Sequence, residues 1–210
     1  MNVFHYLPFG ILTSVMRSTL LLSFCVFLFS CAGGDVKQDS EVVEMKKSTQ
    51  YLDVDSDVES DFETAVGLLE QEKFAQAIEI LKSVVEREQR LSAPYANMGI
   101  AYNKIGEKKL AEESLIKALK LDIGNAVANN ELGLLYRKAG KFTAARTAYE
   151  NAIKEHQSYL PAKKNLGVLC DLYMHDYECA LEQFEDYLAL QPDDKTMMIW
   201  AADVKRRLGK

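Results

Sequence analysis

The sequence predicts an all-α protein, a solenoid of antiparallel helix pairs preceded by a targeting segment. Three observations predict this fold class. Blocks of residues recur at a spacing of 34 along most of the chain, a period that is typical of solenoids. Apolar residues within the blocks follow helical periodicity. A further helical pattern follows the last block, where a solenoid needs a cap over its exposed apolar end.

The recurrence is clearest in a five-residue block. It reads MGIAY at residues 98–102, LGLLY at 132–136 and LGVLC at 166–170. The second half of the unit recurs as well, since residues 140–145 match residues 106–111 and residues 73–77. Small and large positions therefore recur together in each unit.

The small positions predict close contacts between helices, because no larger side chain fits where two backbones approach. These positions are Gly99, Gly133 and Gly167 in the first helices and Ala77, Ala111, Ala145 and Ala180 in the second. Large apolar residues, which fill the remaining space, stand at 74, 81, 102, 115, 136, 142, 149, 177 and 184. Each helix pair leaves one apolar face open, and the next pair covers it.

This spacing resembles the tetratricopeptide-repeat family. The resemblance implies a right-handed superhelical solenoid of about four repeats, at 58–91, 92–125, 126–159 and 160–193. Residues 194–210 are then expected to form a capping helix. Its predicted apolar positions are Met197, Ile199–Ala201, Val204 and Leu208.

In this family the first helices of successive repeats line a concave groove, and the register identifies the residues expected to face it. The apolar row consists of Val66, Ile100, Leu134 and Val168. The first flanking row is Phe62, Ala96, Asn130 and Lys164, and the second is Leu69, Asn103, Arg137 and Asp171. An apolar stripe rimmed by polar residues favours binding of an apolar peptide. Alternatively, these side chains pack first helix against first helix, or the protein's own tail or tether covers them.

The N-terminal segment, residues 1–31, predicts export. Residues 18–30 follow Arg17 and are apolar but too short to span a bilayer, as in a signal peptide. Leu28–Cys31 resembles the lipobox of bacterial lipoproteins, which implies lipidation of Cys31 and membrane anchoring. With Ala32 next, the resemblance implies the periplasmic face of the outer membrane. A soluble periplasmic protein or an inner-membrane anchor are the alternatives, and translation starts at Met1 or Met16.

Residues 32–57 are expected to form a flexible acidic tether, because their few large apolar residues cannot offset the entropy of chain ordering.

The fourth repeat is expected to have an altered turn. Gly167 and Ala180 lie 13 positions apart, where the preceding repeats have 12. Cys170 and Cys179 flank this turn. Three states are open for them: a disulfide, two free thiols, or a metal site with His175 and Asp176.

Composition narrows the function classes. Outside residues 1–31 the chain has 24 Lys and Arg against 31 Asp and Glu, so nucleic-acid binding is not expected. No catalytic motif, cofactor site or resident metal is expected. The sequence predicts a lipid-anchored scaffold that binds a protein partner in the bacterial envelope and assists assembly of an outer-membrane, pilus or secretion complex. The alternatives are a structural protein that self-associates as a homo-oligomer and an enzyme that uses Cys170, His175 or Cys179.

Overall fold

The computed structural model describes residues 54–210, and this part of the chain forms nine α-helices and no strand. They are α1 Ser56–Glu70, α2 Phe74–Arg87, α3 Ser92–Lys104, α4 Lys108–Leu121, α5 Ala126–Lys138, α6 Phe142–Glu155, α7 Leu160–Leu169, α8 Tyr177–Leu190 and α9 Lys195–Arg207. Helix α7 continues as a π-helical turn, Cys170–Met174. The predicted signal segment with Cys31, and the tether up to residue 53, lie outside the described residues.

The helices pack as four consecutive pairs followed by α9. Helix α1 packs on α2, α3 on α4, α5 on α6 and α7 on α8, and each second helix also contacts the first helix of the next pair. The first helices α3, α5 and α7 contact one another along one side. The predicted all-α solenoid of helix pairs is confirmed.

One backbone position in each interhelix turn adopts the left-handed conformation. Gly106 and Gly140 take it with φ values of 89° and 73°, which costs glycine little because it has no Cβ. The equivalent residues of the outer repeats are Glu72 and His175, with φ values of 58° and 55°. The terminal repeats therefore hold a strained residue where the central ones have glycine.

Each repeat glycine faces one large side chain of the second helix. The pairs are Gly99 with Leu115, Gly133 with Tyr149 and Gly167 with Phe184. A Cβ added to Gly133 would lie 2.5 Å from a carbon of the Tyr149 ring. Tyr149 is fully buried, so its ring cannot move into solvent. The predicted close approach is thus present in the structure.

Side-chain amides connect successive repeats. Asn125 caps α5 by accepting a hydrogen bond from the Ala128 N–H at 2.9 Å and donates one to Ser92 Oγ at 3.0 Å. Asn165 donates to Asn130 Oδ1 at 2.9 Å. These bonds fix the stacking of the first helices.

The boundary of the folded part differs from the prediction. Asp55 caps α1, which begins at Ser56, and Val54 packs against the core. Residues 54–57 therefore belong to the solenoid rather than to the tether.

Candidate functional site

The apolar row lies at the boundary between core and surface. Its four side chains are half-buried. Val66 and Ile100 pack against the buried residues of the first repeats, and Leu134 and Val168 pack against those of the last repeats. Part of each side chain thus stabilises the solenoid, and the remaining surface forms an apolar strip across all four first helices.

The first flanking row is mainly interior, which corrects its assignment to the groove. Phe62, Ala96 and Asn130 are 6%, 0% and 1% exposed. Asn130 accepts the hydrogen bond of Asn165 from the next first helix, so this row is the seam between adjacent first helices. The alternative of packing between first helices is therefore correct for Asn130, and burial removes Phe62 and Ala96 from the groove surface. Lys164 is exposed, and its Nζ lies 5.8 Å from the centre of the Trp200 ring.

The second flanking row is more accessible, except at its end. Leu69, Asn103 and Arg137 are half-buried. Asp171 is 8% exposed and accepts two hydrogen bonds from Arg207 of α9, at 2.6 and 3.2 Å. This carboxylate ties the capping helix to the fourth repeat and is therefore not a groove residue.

The polar groups beside the apolar row are mainly cationic in the last two repeats. Arg137 lies over the ring of Tyr173 at 5.7 Å, and Lys164 lies over Trp200. Cation–π contacts hold both side chains in place without neutralising their charge. With Asn103 in the second repeat, they offer hydrogen-bond donors along the apolar row.

The fourth repeat accommodates its additional residue within helix α7. The last turn widens to a π-helical turn, which takes up one more residue than an α-helical turn. Leu172 and Tyr173 are 60% and 44% exposed on this turn. The altered turn is therefore present, as a widened helix rather than a longer loop.

Cys170 and Cys179 are joined by a disulfide across this turn, with their Cα atoms 5.9 Å apart. Asp176 caps α8 by accepting a hydrogen bond from the Cys179 N–H at 3.1 Å. It also accepts one from Arg146 of the third repeat at 2.8 Å. These bonds, that of Arg146 foremost, lower the pKa of Asp176 below its usual value. The disulfide thus fixes the turn within the fourth repeat, and the Arg146–Asp176 bond ties it to the third repeat.

The same turn contains the one group of residues in the described part of the chain that combines metal-binding side chains. The ligand atoms of Cys170, Asp176 and Cys179 lie within 4.8 Å of one another. The two sulfurs are bonded to each other, and the Asp176 carboxylate accepts a hydrogen bond from Arg146. In its disulfide form this group therefore provides no thiolate for a metal.

The capping helix α9 departs from the predicted pattern at one residue. Met197, Ala201 and Val204 are buried, whereas Ile199 is 67% exposed. Positions 197, 201 and 204 share one helix face, and position 199 lies on the opposite side. Ile199, one of the predicted apolar positions of this helix, therefore lies on its surface and not in the core.

These features define a class of protein, an all-α solenoid of helical repeats. Residues 93–122 and residues 130–170 each match a family model described as tetratricopeptide repeat. The chain therefore contains repeats of the tetratricopeptide-repeat family. None of the described helices has the length and apolar content to cross a bilayer.

Solved structures share this fold. One is that of pilF from Pseudomonas aeruginosa, with a TM-score of 0.65 and 23% identity over 71% of this chain and 68% of that one. Another is a thermophilic tetratricopeptide-repeat protein of Thermus thermophilus, with a TM-score of 0.62 and 21% identity over 78% and 86% of the two chains. Both likenesses concern the fold.

Sequence relatives share only a segment with this chain. The tomato (Solanum lycopersicum) protein described as the probable peptide N-acetylglucosaminyltransferase SPINDLY is 33% identical over 102 residues, which is 49% of this chain and 11% of that protein. The chain thus spans about a tenth of that relative. Because the similarity is limited to repeats, it does not indicate glycosyltransferase activity here.

Proposed function

We propose that this chain is a lipid-anchored scaffold of a bacterial envelope that binds a protein partner along the apolar row. The observation that carries the proposal is the row itself, four half-buried apolar side chains in the same register on successive first helices. A solenoid presents such a row as one continuous concave surface. Tetratricopeptide repeats generally serve as protein-binding scaffolds and not as catalysts.

The chemistry beside the row specifies the partner segment. The strip is apolar, and Arg137 and Lys164 flank it with fixed positive charges. A partner peptide that places apolar side chains on the strip and carboxylates beside these two cations satisfies both features. We therefore propose an acidic segment with regularly spaced apolar residues as the ligand of the groove.

The groove is tested by replacing Ile100 and Leu134 together with Asp. Both side chains are half-buried, so charges there remove apolar contact and repel an acidic ligand. We expect partner capture from intact cells, measured by crosslinking and mass spectrometry, to fall at least tenfold while helicity is retained. The matched control places the same two changes at Ile116 and Ile123, which are exposed on α4 and after it. Undiminished capture by the folded groove variant would show that the row serves packing alone.

The envelope location rests on the lipobox, which lies outside the described residues. A thioether-linked diacylglycerol on Cys31 would hold the solenoid close to the membrane, where it can bring a partner to an outer-membrane, pilus or secretion complex during assembly. Replacing Cys31 with Ser removes the acceptor thiol. We expect this variant to leave the membrane fraction or to remain unprocessed. A Ser variant that fractionates with membranes after normal processing would refute the anchor and leave the groove proposal intact.

A further inference from the structure

The turns of the solenoid lie along two different edges. A turn of two or three residues makes the two helices of a pair antiparallel, and successive pairs stack on one another. The turns within pairs therefore share one edge, and the turns between pairs share the other. We name the first the hairpin edge, formed by residues 71–73, 105–107, 139–141 and 175–176 with the helix ends beside them. We name the second the linker edge, formed by residues 88–91, 122–125, 156–159 and 191–194.

Cations are concentrated on the hairpin edge of the two central repeats. Residues 104–109 contain three Lys and one Glu, and residues 137–141 contain one Arg and two Lys without an acid, in a chain of net charge −6. These segments carry net charges of +2 and +3. On the linker edge, residues 88–91, 122–125 and 156–159 carry net charges of 0, −1 and 0 with His neutral. The positive charge therefore belongs to one edge.

The cations of the hairpin edge are accessible and keep their charge. Lys104, Lys108 and Lys138 are exposed, and none of them forms an ion pair with another residue of the described part of the chain. Lys141 lies 5.4 Å from the centre of the Tyr136 ring, a contact that does not neutralise an ammonium group. The positive field of this edge is thus available to an external partner.

The acidic residues of the outer turns do not cancel this charge. Asp171 and Asp176 each accept a hydrogen bond from an arginine, and residues 71–73 contain one Glu and one Lys. Glu70 and Glu178 are exposed acids beside these turns. Against the net charges of +2 and +3 in the central repeats, they leave the hairpin edge positive as a whole.

Exposed apolar side chains stand beside the cations. Ile105, in the turn of the second repeat, is 46% exposed, and Leu110, in the first turn of α4, is 40% exposed. Leu172 and Tyr173 are exposed on the π-helical turn of the fourth repeat. Apolar side chains flanked by lysines bind at the boundary between headgroups and acyl chains of a bilayer, where tyrosine is also enriched. The composition of the edge therefore fits a membrane surface.

The type and distribution of the cations favour a lipid surface over an acidic protein. Segments 104–109 and 137–141 contain five Lys and one Arg. Lysine is a point charge on a flexible stem and suits a diffuse anionic surface, whereas arginine is the residue that binds single carboxylates in a bidentate manner. The cations are also spread over two successive turns rather than directed at one pocket.

We propose that the hairpin edge docks on the surface of an anionic phospholipid bilayer. The lysines of the central repeats contact the headgroups, and Ile105 and Leu110 enter the interface beneath them. Docking would fix the orientation of the solenoid on the membrane. This edge is separate from the apolar row, and the proposal depends neither on the groove nor on the lipid anchor.

Quenching by labelled lipid tests which edge faces the bilayer. A fluorescent amino acid replaces Ile105 on the hairpin edge or, as the matched control, Ile123 on the linker edge. Both are exposed isoleucines, and helix α4 separates them by about 20 Å. The full chain is bound to vesicles that carry a nitroxide on some headgroups, made of phosphatidylcholine alone or with an equal part of phosphatidylglycerol, and flotation verifies binding. We expect strong quenching at position 105 with phosphatidylglycerol, its loss with phosphatidylcholine alone or at high salt, and little quenching at position 123.

Charge variants test the role of the lysines. A triple variant neutralises the three unpaired lysines of the edge, Lys104→Gln, Lys108→Gln and Lys138→Gln. Each lysine near an anionic surface strengthens binding about fivefold, so the equilibrium constant for docking should fall about a hundredfold. Quenching at position 105 should then fall to that at position 123. The matched control neutralises three exposed lysines of second helices outside this edge, Lys117→Gln, Lys120→Gln and Lys154→Gln. It should keep the quenching of the unmodified chain, and circular dichroism verifies that both variants are folded.

Several results would overturn the proposal. These are failure of the chain to float with phosphatidylglycerol vesicles, equal quenching at the two positions, quenching that is independent of phosphatidylglycerol, and undiminished quenching in the folded triple variant. A benzophenone amino acid at position 105 tests an acidic protein as the occupant. Crosslinking to a foreign protein in intact cells, without quenching by lipid, would assign the edge to a protein partner and refute docking on a bilayer.

Discussion

Replacing Gly133 with Ala tests the close packing of glycine against a large side chain in the second, third and fourth repeats. The added Cβ would lie 2.5, 2.6 and 2.9 Å from three carbons of the Tyr149 ring, whereas carbon atoms in van der Waals contact are about 3.5–4.0 Å apart. The overlap is about 1 Å, and Tyr149 is fully buried. Overpacking of this kind costs about 1–3 kcal/mol, and we expect the upper end of that range here. The better helix propensity of Ala offsets about 1 kcal/mol, so the free energy of unfolding should fall by about 2 kcal/mol.

The assay is urea unfolding followed by circular dichroism at the helix band. The control is Gly67→Ala, the same change in helix α1 at a site where the new Cβ has no neighbour within 4 Å. There the helix propensity acts alone, and the free energy of unfolding should rise by about 0.5–1 kcal/mol. The two substitutions should thus have opposite signs. A Gly133→Ala protein as stable as the Gly67→Ala protein would refute the close-packing explanation of the repeat.

Three further predictions concern stability and use the same unfolding assay. Tyr149→Phe removes a buried hydroxyl that has no hydrogen-bond partner in the described part of the chain, so the free energy of unfolding should stay equal or rise by up to about 1 kcal/mol; a loss of that size would reveal a partner. His175→Gly relieves a left-handed residue and should add about 1 kcal/mol; no gain would argue that the turn is unstrained. Asp176→Asn keeps the helix cap but removes the charge paired with Arg146, and should cost about 0.5–1 kcal/mol at neutral pH. Because this pairing lowers the pKa of Asp176 in the folded state, its stabilisation is present above the ordinary value of 3.8 and is lost as the pH falls through the lowered pKa. The difference in the free energy of unfolding between Asp176→Asn and the unmodified protein should therefore vanish in acid. A difference independent of pH would contradict the charge pairing of Asp176 with Arg146.

The repeat architecture could be predicted because it is encoded locally and several times. Gly133 with Tyr149 repeats the pairing of Gly99 with Leu115 at the same spacing. A small residue in one helix opposite a large residue in the other predicts that the two helices approach closely at that point. The register of each helix pair follows from these positions alone.

The accessibility of the groove could not be predicted from the same register. Whether Ala96 or Ile100 is covered depends on how closely successive first helices approach, and this distance is set by the stacking of whole repeats. Ala96 is fully buried, and Ile100 is half-buried. The sequence placed Ala96 in the groove because it did not show which row forms the seam between first helices.

The fourth repeat shows a second limit of sequence reasoning. One additional residue between Gly167 and Ala180 predicts an altered turn, yet it fits equally into a longer loop or a widened helix. The bond from Arg146 to Asp176, which holds the turn against the third repeat, joins side chains 30 residues apart. Such pairings arise from tertiary packing and have no signal in the local sequence.

Site-specific photocrosslinking tests the central claim, that the apolar row binds a protein partner, most directly. In one variant a benzophenone amino acid replaces Leu134, which belongs to the apolar row. In the control it replaces Ile123, which lies outside the row and is 80% exposed. After irradiation of intact cells, the account predicts that the Leu134 derivative forms a crosslink to one foreign protein and that the Ile123 derivative does not. Crosslinks from Ile123 alone, or only to a second copy of this chain, would contradict it.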